Sequence, residues 1–197
     1  MMIAARRVVC FAACSLALLA AACSEPLSPS PEDAALLVTT SDVQVAVPFK
    51  SHFYTDQMSL VPDESCGAPP RLLNTQVGEG EATHLGRFSI RITFCLDATD
   101  ILDDGQLTEG ESLPYDDGVG TLIAANGDEL HIAIAGAVVP SNAPGFDFEF
   151  DDPFTFTGGT GRFADASGGG TTNSFVSRQV QPTRTTHGWS GTLIFSH

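Results

Sequence analysis

Apolar residues recur at every second position over much of the chain after residue 38, as they do in half-buried β-strands. Residues 43–47 place three valines on one face, and residues 87–94 alternate polar side chains with phenylalanine and isoleucine. Residues 146–150 alternate phenylalanine with acidic residues, and Pro153 then breaks the run. No segment of ten or more residues carries a convincing amphipathic helical period, so the pattern predicts strands.

Turn signals between these segments predict an antiparallel meander. Asn126-Gly127 stands between two apolar runs and favours a hairpin, because both residues tolerate positive φ. Further strand segments are predicted at 52–60, 80–85, 154–157, 171–178 and 188–196, and we expect the chain to provide roughly eight strands. A sheet of this size closes into a barrel or stacks as a sandwich, and closure is attractive because it removes exposed edges. We therefore expect a single all-β domain, an antiparallel barrel of roughly eight strands, over residues 39–197.

The first 22 residues have a different pattern. Arg6 and Arg7 precede an uncharged run that ends in small residues, which is typical of a cleaved export signal. The run has 15 residues (8–22), whereas a bilayer-spanning helix needs about 20. The segment from Leu19 to Cys23 resembles the bacterial lipobox, which implies lipid attachment and cleavage at Cys23.

Two interpretations of this N-terminus stay open, a lipoprotein signal and an ordinary cleaved signal with a chance cysteine. The lipoprotein interpretation predicts acyl chains on Cys23, which would hold the protein at a bilayer. Residues 23–38 are rich in proline, serine and acids and predict an extended linker. The expected location is the bacterial cell envelope, and Ser rather than Asp at position 24 is compatible with the outer membrane.

The charge balance excludes one class of partner. The chain has 9 basic and 24 acidic residues, a net charge of −15. All the acids follow residue 22, so loss of Arg6 and Arg7 leaves 7 − 24 = −17. Such a field repels polyanions, and we expect no nucleic-acid partner.

Two cysteines, Cys66 and Cys95, remain in the domain. In an exported protein they predict one structural disulfide that ties the loop at 62–70 to a strand. A catalytic thiol is the alternative, but no activating base is apparent in the sequence.

One turn motif resembles a known family. The stretch from 158 to 168, Gly-Gly-Thr-Gly-Arg-Phe-Ala-Asp-Ala-Ser-Gly, looks like the turn between two barrel strands in allene oxide cyclases and dirigent proteins. Its characteristic residues are Gly158, Gly159, Thr160, Gly161, Arg162, Phe163, Ala166 and Gly168. Glycines permit the tight reversal, and Phe163 is expected to plug the barrel interior.

The resemblance implies a calycin-like barrel with a ligand cavity. We expect a small apolar ligand, and carry two alternatives, an isomerase or cyclase and a non-catalytic envelope protein with a solidly packed barrel. The catalytic residues of the cyclases have no counterpart here that can be placed residue by residue, so no catalytic residue is assigned. Fold alone does not decide among these functions.

An acidic stretch, 97–117, contains the one candidate metal site. Asp100, Asp104 and Glu111 have a spacing similar to that of calcium-binding loops, and hard oxygen ligands suit Ca²⁺. A solvated acidic loop without metal is the alternative. The histidines are dispersed and show no metal-ligand spacing.

Overall fold

The computed structural model describes residues 44–196, which form ten antiparallel strands and three short 3-10 turns. The strands are β1 Gln44–Val61, β2 Arg71–Ala82, β3 Gly86–Asp97, β4 Leu113–Ala124, β5 Glu129–Pro140, β6 Phe148–Phe150, β7 Pro153–Gly159, β8 Ser167–Thr171, β9 Ser174–Ser177 and β10 Arg184–Ser196. The 3-10 turns are Glu64–Cys66, Thr99–Ile101 and Gly161–Phe163. No helix within residues 44–196 is long and apolar enough to cross a membrane.

The sheet closes on itself. Hydrogen-bonded neighbours run in the order β1, β2, β3, β4, β5, β7, β8, β10, and β10 returns to β1 over the register from Gln44↔Ser196 to Asp56↔Arg184. Pairing of the first and last strands removes both edges of the sheet. The predicted all-β barrel is confirmed, with eight strand positions around its circumference.

Two of the eight strand positions around the barrel are each occupied by two short strands instead of one long strand, which is why ten strands are present. β5 pairs with β7 through Leu130–Ile134 and with β6 only at Val139 and Pro140. β10 likewise pairs with β9 at one end and β8 at the other. Residues 151–152 and 172–173 form the two breaks. These breaks lie side by side, because the Asp152 N–H donates to Thr172 Oγ1 at 2.8 Å.

Side chains alternate between the barrel interior and solvent, as the sequence pattern predicts. In β3, the apolar side chains of Phe88, Ile90 and Ile92 are buried while residues 87, 89 and 91 are exposed. Paired strands present their buried residues at the same level, as in Phe53↔His187 and Ser51↔Trp189. The interior is therefore one continuous core.

Several predicted strand boundaries are wrong. Residues 83–85 form the turn between β2 and β3, not the end of a strand, because Gly86 and His84 both adopt positive φ there. β1 continues without a break through both segments predicted at its ends. β4 begins at Leu113, so the acidic stretch is a loop only over residues 98–112.

The Asn126-Gly127 hairpin connects β4 and β5 as predicted, but by a different turn. Of its two central residues only Gly127 has positive φ, and the Gly127 N–H donates to the Ala124 carbonyl at 2.9 Å. The connection is a three-residue loop that ends in a left-handed glycine.

Candidate functional site

One half of the barrel interior is filled by aromatic side chains. Phe154 stacks on Trp189 with ring centroids 4.9 Å apart, and Phe49 packs edge-on against Phe156 at 5.0 Å. Phe53 joins the cluster through Trp189 and Phe88. These ring contacts make this half a closely packed aromatic core.

The other half contains a cavity of about 180 Å³. It lies at the end of the barrel where β1 leads to the disulfide loop and where β6 and β9 complete the wall. Its lining is mostly apolar, with polar groups at a few points, and comprises Gln57, Leu60, Asn74, Gln76, Phe94, Leu96, Ile101, Gly105, Leu113, Val138, Phe148, Phe150, Val176, Arg178, Thr183 and Thr185.

A smaller space of about 20 Å³ continues toward the aromatic core. Gln76, Phe94, Val138 and Phe150 border both spaces, so they form the passage between them. The inner space is bounded further by Tyr115, Ile134, Ile92, His187 and Trp189, and it has room for about one water molecule. The cavity therefore ends against a polar group of side chains.

A chain of buried hydrogen bonds surrounds His187. Trp189 Nε1 lies 3.3 Å from Ser174 Oγ, which lies 2.8 Å from His187 Nδ1. His187 Nε2 lies 3.0 Å from Thr55 Oγ1, which lies 2.5 Å from Gln76 Oε1. These five side chains come from β1, β2, β9 and β10, and all are buried.

The hydroxyl of Thr55 sets the direction of this chain, because its single proton is donated to Gln76 Oε1 and its oxygen can then only accept from His187. His187 therefore carries its proton on Nε2, and its Nδ1 accepts the Ser174 hydroxyl. The Ser174 oxygen in turn accepts the Trp189 N–H.

Burial lowers the pKa of His187 to about 3, because no charged group offsets the cost of desolvating an imidazolium. The ring also stacks on Phe53, with centroids 4.3 Å apart. His187 is therefore neutral near pH 7, which is the form that the hydrogen-bond chain requires.

Asn74 is a buried side chain with an unmet hydrogen bond. It is 5% exposed and lines the cavity, and its Oδ1 has no partner within residues 44–196. A buried amide oxygen is normally hydrogen-bonded. Because this oxygen is itself buried, the Asn74 side chain contributes to the cavity wall without exposing Oδ1 to the cavity.

Tyr115 and Asp152 form a second polar pair beside the inner space. The Tyr115 hydroxyl donates to Asp152 Oδ2 at 2.8 Å, and the Ala137 N–H donates to the same oxygen at 3.2 Å. Burial, followed by the hydrogen bond to Asp152, raises the pKa of Tyr115 well above its usual range. The phenol stays protonated and its proton is committed to the carboxylate.

A wider depression, of about 550 Å³, lies on the outside of the barrel over Val119, Ala133 and Thr155. Val119 is largely exposed, and the depression is shallow and open to solvent. It contains none of the buried polar groups described above, so the interior cavity is the better candidate for a site.

The structure contains the Cys66–Cys95 disulfide predicted from the sequence. Cys66 ends the first 3-10 turn and Cys95 lies in β3, and both are buried. The bond fastens the loop after β1 to the barrel wall. With both sulfurs in the bond, neither residue is a free thiol.

Residues 158–168 form the predicted turn between β7 and β8. Phe163 is fully buried, and Arg162 lies over its ring at 4.8 Å while its Nε is 3.7 Å from Asp128 Oδ2. Thr160 fastens the turn to β5, since its Oγ1 accepts the Glu129 N–H at 2.9 Å. Residues 158, 161 and 168 are glycines with positive φ, Gly159 abuts the β5 backbone, and Ala166 is buried.

The structure does not bring the three predicted calcium ligands into one cluster. Asp100 accepts the Ser112 N–H at 3.0 Å, Asp104 accepts the Gln106 N–H at 2.8 Å, and Glu111 accepts the Thr108 N–H at 2.6 Å. Asp104 and Glu111 therefore each stabilise a local turn, and Asp100 joins the two ends of the loop. Calcium binding stays a prediction.

Within residues 44–196 the one grouping at metal-ligand distances consists of Cys95, Asp116 and Asp117. Cys95 is in the disulfide, and Asp116 is paired with Arg71. Neither group is available to a metal as it stands.

The predicted signal (1–22), Cys23 and the linker (23–38) lie outside the residues that the structure describes.

Of the residues at the inner end of the cavity, Trp189 could be placed from the sequence on a face that lines a pocket or the core, whereas His187 was not singled out. His187 and Trp189 share the inward face of β10, so the alternation of that strand was a usable signal for their burial. Tyr115 and Asp152 carried no such signal, because one was assigned to an acidic loop and the other falls in a break between strands.

No family model matches the chain, and neither does any curated protein. Among solved structures, that of the pterocarpan synthase dirigent protein GePTS1 is similar to this chain. The two are 13% identical, with 90% of this chain and 100% of that one covered and a TM-score of 0.41. This likeness is distant and concerns the fold alone.

Proposed function

We propose that this protein binds a small, largely apolar ligand in the open half of its barrel. The observation that carries the proposal is the cavity of about 180 Å³, walled by Leu60, Leu96, Leu113, Val138, Phe148 and Phe150. An apolar protein cavity of about 150 Å³ accepts benzene, so the space suits a ligand with roughly one aromatic ring. The solidly packed envelope protein considered above fits such a cavity poorly.

Binding is tested with 4-fluorotoluene, followed by fluorine NMR, on the full chain made by cell-free synthesis without membranes under oxidising conditions. We expect saturable binding to the wild-type protein. Val138→Phe should abolish it, because Val138 borders both the cavity and its inner extension. Val119→Phe is the matched control, because Val119 lies on the outer surface. Absence of saturable binding, or equal binding by both variants, would contradict the proposal.

An isomerase or cyclase is the second candidate, and the Tyr115–Asp152 pair beside the inner space favours it. A phenol that keeps its proton can stabilise a developing oxyanion by donating its hydrogen bond to the substrate in place of Asp152. The test compares the compounds recovered after they have been bound by the wild-type protein and by Tyr115→Phe. Chemical conversion of a bound compound by the wild-type protein but not by the variant would support catalysis. Recovery of the compound unchanged from both proteins would support simple binding.

We further propose that the barrel is carried to the bacterial cell envelope and anchored to a bilayer through Cys23. The support is the segment 19–23 and the proline-rich linker after it. Expression in a bacterial host should place the protein in the membrane fraction, and Cys23→Ala should release it. If the wild-type protein and Cys23→Ala both stay in the membrane fraction, or if both are released from it, the anchor is contradicted.

The turn at 158–168 supports a proposed kinship with the allene oxide cyclase and dirigent barrels.

A further inference from the structure

The cavity has a polar outer end. Gln57 and Thr183, both partly exposed, line it where their strands meet, and the Gln57 N–H donates to the Thr183 carbonyl at 2.8 Å. Arg178 joins them, with 42% of its side chain exposed. These three residues form the mouth of the cavity, the end at which a bound molecule meets solvent.

The mouth carries no unbalanced charge. Within residues 44–196, Arg178 is the one charged residue that lines the cavity. Its Nε lies 3.7 Å from Asp147 Oδ1, and its guanidinium lies over the Phe148 ring at 4.6 Å. Because Asp147 offsets the positive charge, the mouth suits a neutral polar group such as a hydroxyl, which can hydrogen-bond to solvent there.

The strand β10 and the residue before it measure the depth of the cavity. Thr183 and Thr185 line the cavity itself, whereas His187 and Trp189 border the inner space. Alternate residues of a strand share one face and lie about 6.6 Å apart, so His187 lies about 13 Å further along the strand than Thr183. The inner space is therefore at the opposite end of the cavity from the mouth.

The surface that faces the inner space is almost wholly apolar. Tyr115, His187 and Trp189 border it, but their polar atoms are engaged with other side chains. The Tyr115 hydroxyl donates to Asp152, and the polar ring atoms of His187 and Trp189 belong to the buried chain of hydrogen bonds that ends at the Gln76 oxygen. A buried water needs roughly two to four polar partners, so this space suits an apolar group better than a water or a hydroxyl.

The inner space is small as well as apolar. Its volume of about 20 Å³ has room for a group the size of a methyl. A ligand that leaves this space unfilled loses dispersion contacts with its walls, whereas a methyl group makes them. A larger group would have to displace Phe94, Val138 or Phe150, which border the passage.

We propose that the cavity selects a one-ring molecule with a neutral polar group at one end and a methyl-sized apolar substituent at the opposite end. The polar group stays at the mouth, and the substituent passes Phe94, Val138 and Phe150 into the inner space. This assignment rests on the binding function proposed above and specifies its ligand class.

The test titrates the full chain, by NMR, with benzyl alcohol and its 4-methyl, 4-ethyl and 4-propyl derivatives. Transfer out of water alone would strengthen binding about fourfold for each added CH₂. We instead expect a gain of about tenfold from hydrogen to methyl, because the methyl group also fills the inner space. The ethyl and propyl compounds should bind more weakly than the methyl compound, because they overpack it.

A polar substituent of similar size tests the apolar surface. 4-Hydroxybenzyl alcohol should bind more weakly than benzyl alcohol, since either orientation of the ring buries a hydroxyl without a partner.

Substitutions at Ile92, which borders the inner space but does not line the larger cavity, locate the selectivity. Ile92→Phe fills the space and should remove the gain from the methyl group while benzyl alcohol binds as before. Ile92→Val enlarges the space and should make the ethyl compound bind at least as tightly as the methyl compound. This smaller substitution keeps the test decisive if phenylalanine disturbs the fold. Ile123→Phe, on the outer face of β4, is the matched control and should leave the wild-type order of affinities intact.

The outcomes distinguish this inference from the function on which it rests. If 4-fluorotoluene binds but affinity rises at every step from methyl to propyl, the inner space does not limit the ligand and the assignment is overturned. An Ile92→Val variant with the wild-type order of affinities overturns it as well, and so does 4-hydroxybenzyl alcohol binding as tightly as the methyl compound. If neither 4-fluorotoluene nor any compound of the series binds, the binding function itself fails.

Discussion

Gly136 of β5 lies directly against the carboxylate of Asp152, and a Cβ at position 136 would overlap that carboxylate. Asp152 stands in the break between β6 and β7, where its Oδ2 accepts hydrogen bonds from the Tyr115 hydroxyl and from the Ala137 N–H. The absent side chain at 136 is therefore what admits an acidic group to this part of the barrel wall.

Gly136→Ala should destabilise the protein by about 1–3 kcal/mol, the usual cost of overpacking a filled site. The methyl group must displace Asp152 and so break its bond with Tyr115. Thermal unfolding measures the loss. Gly188→Ala is the control, because its nearest neighbours lie 3.7 Å from the added Cβ and its φ is not positive. Equal effects at the two positions would show that the Asp152 contact does not matter.

Tyr115→Phe should lower the free energy of unfolding by about 1.5–3 kcal/mol, the range for hydrogen bonds to a charged group. Asp152 would keep the hydrogen bond from the Ala137 N–H but lose the one from the Tyr115 hydroxyl. Tyr54→Phe is the matched control, since that hydroxyl donates to Glu79 at 3.2 Å on the exposed outer surface. We expect no measurable change there. Denaturant titration of both variants decides the comparison.

Stability should fall as the pH is lowered from about 6.5. The pKa of His187 is about 3 in the folded barrel, against a usual value of 6.5, so the unfolded chain takes up a proton that the folded one refuses. The expected slope is up to about 1.4 kcal/mol per pH unit between those two values, with the full contribution present above pH 6.5. Asp56, Asp63 and Asp97, whose pKa values are lowered, add the same trend only at lower pH.

Unfolding measured between pH 7 and pH 5 isolates the histidine. His187→Gln should flatten the slope over this window, and His52→Gln, at an exposed position, should leave it unchanged. A wild-type stability that does not vary from pH 7 to pH 5 would contradict the buried neutral imidazole.

The alternation of side chains made the barrel predictable. Period two holds through β3, β5 and β7, and the phenylalanine at 163 is buried where the turn motif required it. A β-turn is formed by residues that are adjacent in sequence, so the Asn126-Gly127 turn could be located from the sequence, although its turn type could not be predicted.

The site could not be predicted, because it depends on register between strands distant in sequence. Ser174 meets His187 through the β9–β10 pairing, and Thr55 reaches the same ring from β1. Tyr115 was hidden because a bulge at Asp116 and Asp117 interrupts the alternation of β4. Because a bulge shifts the alternation without a regular pattern in the sequence, the residues that face inward cannot be assigned from the period.

Loss of the Cys66–Cys95 disulfide should destabilise the barrel by about 3–4 kcal/mol, because the bond closes a long loop and restricts the unfolded chain. The two residues are 29 positions apart. Cys66→Ala/Cys95→Ala and the wild-type protein in dithiothreitol should unfold at the same denaturant concentration, both below the oxidised wild-type protein. The reductant should not alter the double variant. A double variant as stable as the oxidised protein would mean that β1–β2 pairing alone holds the loop.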